Sequence, residues 1–265
     1  MATYHYQHEA DGNTPIYDFT DQKTKGLFLS KVFGMMFICL LVTTVVATGF
    51  GYGFQALLRL TAVDDGAGGM ILDQNLMSLL IAILAISLIA LIVMSFVLPI
   101  TFARGKHNIL VPLMIYVSIM GILLSTFTFV FDAIILVESF AVTALVFGLM
   151  ALLGYVSKGR LAGLGFVLLG LIIGAGVLSL FNWLMILIGG VSTANVTISW
   201  IVSLMVFGFL MLVTLFDVYR IKRIAENGGG QDNNLVLYCA YILYSDFISI
   251  LIRVIYYIAI LRGRR

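Results

Sequence analysis

Apolar residues fill this chain in long, almost unbroken runs, with polar residues gathered in short clusters between them. A helix of roughly 20 apolar residues crosses the hydrocarbon layer of a bilayer, about 30 Å thick. Seven runs reach that length. The pattern predicts membrane helices at 32–58, 76–102, 109–131, 133–156, 161–188, 198–220 and 235–261. Only a short turn near Asp132 separates the third from the fourth. Pro99 falls near the end of the second run and Pro112 near the start of the third, positions where a helix tolerates proline. Residues 1–30 are polar and read as a disordered cytoplasmic tail, and 31–265 as the membrane domain. The first apolar run is long enough to span a bilayer rather than to be removed as a signal peptide.

Composition agrees with that pattern. Of 265 residues, 62% are hydrophobic and 11% are charged, where a soluble domain carries about 25% charged residues. The fold class is therefore an all-α integral membrane protein of seven transmembrane helices. A net charge of +2, with no basic run interleaved with aromatics, argues against a nucleic-acid partner. Cys39 and Cys239 both fall in apolar runs and read as buried thiols. His5 and His8 lie in the polar tail and suggest no metal site.

Lys and Arg set the orientation. Lys23, Lys25 and Lys31 precede the first span, and Arg104 and Lys106 follow the second. Lys158 and Arg160 follow the fourth, and Arg220, Lys222 and Arg223 follow the sixth. The alternate loops hold only Arg59, beside Asp64, Asp65 and Asp73. The positive-inside rule then makes the N-terminus cytoplasmic. Seven crossings place the C-terminus outside, although Arg262, Arg264 and Arg265 have the wrong sign for that end. A full crossing is preferred to a re-entrant turn.

Three charged residues fall inside predicted spans: Asp217 in the sixth, Asp246 and Arg253 in the seventh. Glu138 lies near the outer end of the fourth. A charge at the centre of a membrane helix costs about 2.5–3.5 kcal/mol, so such residues face the protein interior and take partners. Asp246, Ser249 and Arg253 share one helical face. Tyr238, Tyr241, Ser245 and Tyr256 spread polarity over other faces, which places the seventh helix at the centre of the bundle.

The stretch AENGGGQDNN joins the sixth and seventh helices and requires them to pack antiparallel. Asp217 then lies about 10 Å, and Asp246 about 16 Å, inside the same membrane face. Two ionised carboxylates about 4 Å apart repel by roughly 4 kcal/mol at an effective dielectric of 20, so a pair at these positions shares one proton and acts as a proton sensor. Fully ionised, Asp217 and Asp246 also offer oxygens to a divalent cation such as Ca²⁺. A basic side chain that bonds to the pair would hold it shut, and Arg104 and Arg253 are the candidates. The competing reading is a polar knot that only fixes helix packing.

At these residues the chain resembles a known family. The segments ESFAVTALVFGLMALLGYVSKGRLAGLG (138–165), TLFDVYRIKRI (214–224) and LYSDFISILIRVI (243–255) are similar, in order and spacing, to signatures of the transmembrane Bax-inhibitor-motif proteins. The likeness covers nearly all of the membrane region. It implies seven helices with the seventh enclosed by the other six, and a Ca²⁺ leak that depends on pH. It also implies a proton-sensing aspartate pair, here Asp217 and Asp246, latched by a second-helix arginine. Arg104 is the nearest match for that latch, although TFARGKHN holds fewer basic residues than the family pattern. Ser245 stands where the family carries leucine, and is expected to add a hydrogen bond to the pair.

Other classes fit less well. An intramembrane aspartyl protease needs Gly-x-Gly-Asp at the second acid and a later Pro-Ala-Leu. Here LYS precedes Asp246, and no proline follows Pro112. A retinal protein needs a lysine in the last helix, and none follows Lys222. The sequence thus predicts a passive Ca²⁺ leak gated by the pair, not an enzyme. It has no resident cofactor, Ca²⁺ being permeant or transiently bound, and its partners are the lipid bilayer, Ca²⁺ and protons. The alternatives are a proton-coupled carrier, though no internal repeat or matched Gly/Pro-broken helices support one, and a scaffold acting through protein partners. The expected location is a bacterial plasma membrane, with the endoplasmic reticulum as alternative.

Overall fold

The computed structural model describes residues 22–61, 63–64, 70–71, 74–105, 108–157, 164–189, 193–226 and 233–263. Eight helices follow in order: α1 (Gln22–Thr61), α2 (Gln74–Arg104), α3 (Leu110–Leu124), α4 (Thr126–Val130), α5 (Ala133–Val156), α6 (Leu164–Gly189), α7 (Thr193–Glu226) and α8 (Asn233–Gly263). Between α1 and α2, the two-residue strands β1 (Val63–Asp64) and β2 (Met70–Ile71) pair antiparallel. Seven segments are long and apolar enough to cross a membrane, with α3 and α4 sharing the third. All seven coincide with the runs read from the sequence.

Three local details differ from the sequence reading. Helix α1 starts at Gln22, so residues 22–30, read above as tail, belong to it. Phe28 is the reason, being buried in the core at 3% exposure. Residues 1–21 lie outside the described residues. Pro99 lies inside α2, which runs on to Arg104, whereas Pro112 occupies the first turn of α3, where its missing N–H costs nothing. The third span breaks at Ser125. There the hydroxyls of Ser125, Thr126 and Thr128 each donate to a carbonyl three residues back, a local competition that bends or interrupts helices.

Helix α8 is the most deeply packed span. Some 44% of its apolar stretch is buried, against at most 33% in any other. It packs on α1, α2, α3, α5 and α7, while α6 packs mainly on α7. Cys239, Ala240, Leu243, Tyr244, Phe247 and Ile250 of α8 are all buried. They point to more than one side of the helix. Lipid tails remove the hydrophobic drive for helix association, so close backbone approach and hydrogen bonds take its place. A Cβ on Gly154 of α5 would stand 2.6 Å from the Leu215 carbonyl oxygen of α7. One on Gly121 of α3 would stand 2.9 Å from the Thr43 carbonyl oxygen of α1. The Tyr244 hydroxyl and Thr43 Oγ1 lie 2.7 Å apart in the interior and tie α8 to α1.

Candidate functional site on the last helical hairpin

Helices α7 and α8 are joined through residues 227–232, which lie outside the described residues, and pack on one another. Both are continuous through their acidic positions. Asp217 stands about 14 Å from the end of α7 and Asp246 about 20 Å from the start of α8, by helical rise. The two carboxyl groups therefore sit within about one turn of the same depth. Both side chains are partly buried.

Asp246 carries an anomaly. Its Oδ2 is buried and has no hydrogen-bond partner among the described residues. Its chain neighbour Phe247 is fixed by ring contacts with Phe140 and Phe147 of α5, at 5.4 and 5.5 Å. A carboxyl oxygen in that setting needs a proton, a cation or water. Among the described residues no group of three or more His, Cys, Asp or Glu side chains gathers. Two carboxylates fall short of the six to eight oxygens that Ca²⁺ prefers, so an ion here would keep most of its water.

The basic residues are arranged differently from the sequence expectation. Arg104 is exposed at the last turn of α2 and has no ion-pair partner among the described residues. Arg253 reaches toward Ser203 of α7, with Nη1 3.5 Å from Oγ, and lies about 10 Å from Asp246 along α8. Arg220 stands three residues beyond Asp217 on the same helix, an i, i+3 spacing already present in the DVYR segment. Glu138 pairs with Arg262 at the far end of α8, with both side chains nearly half exposed.

The serines also separate. The Ser245 hydroxyl joins those of Ser95 and Tyr241 around Tyr116. It therefore works with an aromatic cluster between α2, α3 and α8, in which Tyr116 meets Tyr241 edge to face at 5.1 Å. Ser249 donates to the Ser245 carbonyl at 2.8 Å and stays within its own helix. The hydroxyl cluster of Tyr116, Tyr241, Tyr244 and Thr43 is not legible as a unit, because Thr43 and Tyr116 are distant in sequence from the two α8 tyrosines.

Lys222 ties α7 to the end of α5. Its Nζ donates to the Tyr155 carbonyl at 2.7 Å and sits over the Tyr155 ring at 5.3 Å. It thereby caps the C-terminus of α5, where free carbonyls and the helix dipole favour a cation. Lys222 and Asp217 thus share α7, whose last turns are tied to the end of α5.

Known proteins resemble this chain over much of its length. The inner membrane protein YbhL of Escherichia coli K12 is 29% identical over 228 residues, covering 84% of this chain and 87% of that protein. An uncharacterized protein of Deinococcus radiodurans is 31% identical over 137 residues, 51% of this chain and 56% of that one. The family described as inhibitor of apoptosis-promoting Bax1 matches residues 26–263, every described helix falling almost wholly within that range. The chain is an integral membrane protein that belongs to the Bax-inhibitor family.

Proposed function

We propose that this protein is a passive Ca²⁺ leak whose conductance follows the protonation state of the Asp217–Asp246 pair. One observation carries the reading: Asp246 holds a buried carboxyl oxygen with no partner among the described residues, at nearly the depth of a second acid on the neighbouring helix. Intramembrane acids so placed mark ion or proton pathways. Two acids that feel each other titrate as a unit, and adding or removing a proton changes both their charge and their affinity for a divalent cation. Arg220, one turn from Asp217 on α7, joins Arg104 and Arg253 as a candidate for the latch. The proposed location is a bacterial plasma membrane, in keeping with the name of the Escherichia coli relative, with the N-terminus cytoplasmic. No chemical reaction is proposed.

The test is Ca²⁺ flux into liposomes holding the purified protein, measured across a range of pH. The expected result is flux without any exchange substrate, with a pH dependence that disappears in the Asp217→Asn/Asp246→Asn double variant. Flux that needs a counter-substrate would identify a carrier. Absence of flux at every pH would leave the pair as a packing element in a scaffold.

A further inference from the structure

A second polar site lies in the opposite half of the bundle, where α6, α7 and α8 diverge. It is a cavity of about 150 Å³ lined by Ser179 and Asn182 of α6, Ser199 and Ser203 of α7, and Arg253 and Tyr256 of α8. Arg253 stands about 15 Å inside the end of α8 by helical rise, well within the span. The guanidinium has five N–H donors. One reaches Ser203 Oγ at 3.5 Å, the outer limit of a hydrogen bond. No carboxylate pairs with Arg253 among the described residues. An arginine in a membrane span normally finds a carboxylate, backbone carbonyls or water.

The rest of the lining is suited to an anion. The Ser179 hydroxyl and the second Asn182 amide N–H can donate beside the guanidinium, while Tyr257 OH donates to the Ser203 carbonyl at 2.9 Å and so accepts the hydrogen bond of the Ser203 hydroxyl. Asn182 Nδ2 donates to Ser199 Oγ at 2.8 Å, and the Ser203 hydroxyl and Tyr257 OH lie 2.9 Å apart, so these groups are positioned rather than loose. Asn182 Oδ1 is buried with no hydrogen-bond partner among the described residues, and a water in the cavity would satisfy it. A water molecule occupies about 30 Å³, so the cavity admits a small ion with a few waters and nothing larger. A single positive charge calls for a monovalent anion.

We propose that this cavity is a binding site for a small monovalent anion of halide size, held by the Arg253 guanidinium with the Ser179 hydroxyl and an Asn182 amide N–H. The anion neutralises a cation that would otherwise stand unpaired in the membrane. It also removes a repulsive charge from the half of α8 that lies beyond Asp246.

Both tryptophans of the chain, Trp183 and Trp200, flank the site as chain neighbours of Asn182 and Ser199, and Trp200 stacks on Tyr257 at 6.1 Å. Iodide, a heavy-atom quencher, therefore reports binding directly. The protein in phosphate-free detergent is titrated with iodide against gluconate at constant ionic strength. The expected result is a saturable component of quenching above the linear collisional one, displaced by chloride. Arg253→Gln should weaken it by about tenfold or more, the scale of a lost hydrogen bond to a charged group, and Arg253→Lys should give an intermediate affinity. Asn182→Leu, which fills the cavity and leaves the arginine, should abolish it even if Arg253→Gln does not fold. Linear quenching alone in the unaltered protein, or saturable quenching unchanged by Asn182→Leu, would overturn the assignment. A saturable component that vanishes in phosphatidylcholine nanodiscs would also overturn it, giving the site to a lipid phosphate; persistence there supports the free anion.

Discussion

Arg262, in the last turn of α8, is ion-paired with Glu138, near the start of α5. The contact places the end of the final helix at the membrane face where the fourth span begins. A re-entrant seventh segment would leave Arg262 at the other face, and α8 is one continuous helix of 31 residues. The arginine of wrong sign for that face thus has a local carboxylate partner. In a background without Cys39 and Cys239, Asp132→Cys and Arg262→Cys should label from the same side of the membrane, and Ser157→Cys from the other. Labelling of Arg262→Cys together with Ser157→Cys would refute seven full crossings. The pair itself is half exposed, so Glu138→Gln should cost about 1 kcal/mol or less.

The Thr43–Tyr244 bond is a different kind of contact, because both residues are buried. Tyr244→Phe leaves Thr43 donating to the Cys39 carbonyl at 2.9 Å and should cost about 1 kcal/mol. Thr43→Ala strands the tyrosine hydroxyl and should cost about 1–3 kcal/mol. Thermal unfolding in detergent separates the two. Equal shifts would mean that Tyr244 finds another partner.

Gly154 should be far less replaceable than Gly148. A Cβ at Gly154 collides with the Leu215 carbonyl of α7, while one at Gly148 meets nothing within 4 Å. Gly154→Ala should destabilise by about 1–3 kcal/mol through overpacking. Gly148→Ala should be neutral or slightly stabilising, since alanine is the better helix former. The same melting assay reads both.

Arg220 offers a test of the electrostatics around the acid pair. A nearby cation favours the ionised form of a carboxylate. Arg220→Gln removes that influence on Asp217, so the pair should keep its proton to higher pH. The midpoint of pH-dependent Ca²⁺ flux should then move upward, while Arg104→Gln leaves it in place. A midpoint that moves with Arg104 and not with Arg220 would make Arg104 the latch.

Lys222→Met should loosen the inner end of the α5–α7 contact. It removes the bond to the Tyr155 carbonyl and a cation at a helix C-terminus, worth about 1–2 kcal/mol together. Amide hydrogen exchange should rise in the last turn of α5 and remain unchanged at its start.

The seven spans were legible in the sequence because a bilayer leaves little choice. With no water to satisfy the backbone, an apolar run of sufficient length must be a helix, and its ends must lie where polar residues resume. The same constraint marked Asp217, Asp246 and Arg253, since a charge within lipid is costly enough to demand a reason. Depth could also be counted from one short connection, which brought the two acids to nearly the same level. Partnership could not. The sequence put Arg253 and Asp246 on one face of α8, yet the guanidinium turns into a cavity closed by Asn182 and Ser203 from two other helices. Ser245 neighbours Asp246 in the chain but works with Tyr116 of α3. Helical periodicity states which residues share a side, and only the packed rotation of α3, α6 and α7 around α8 decides what each side meets.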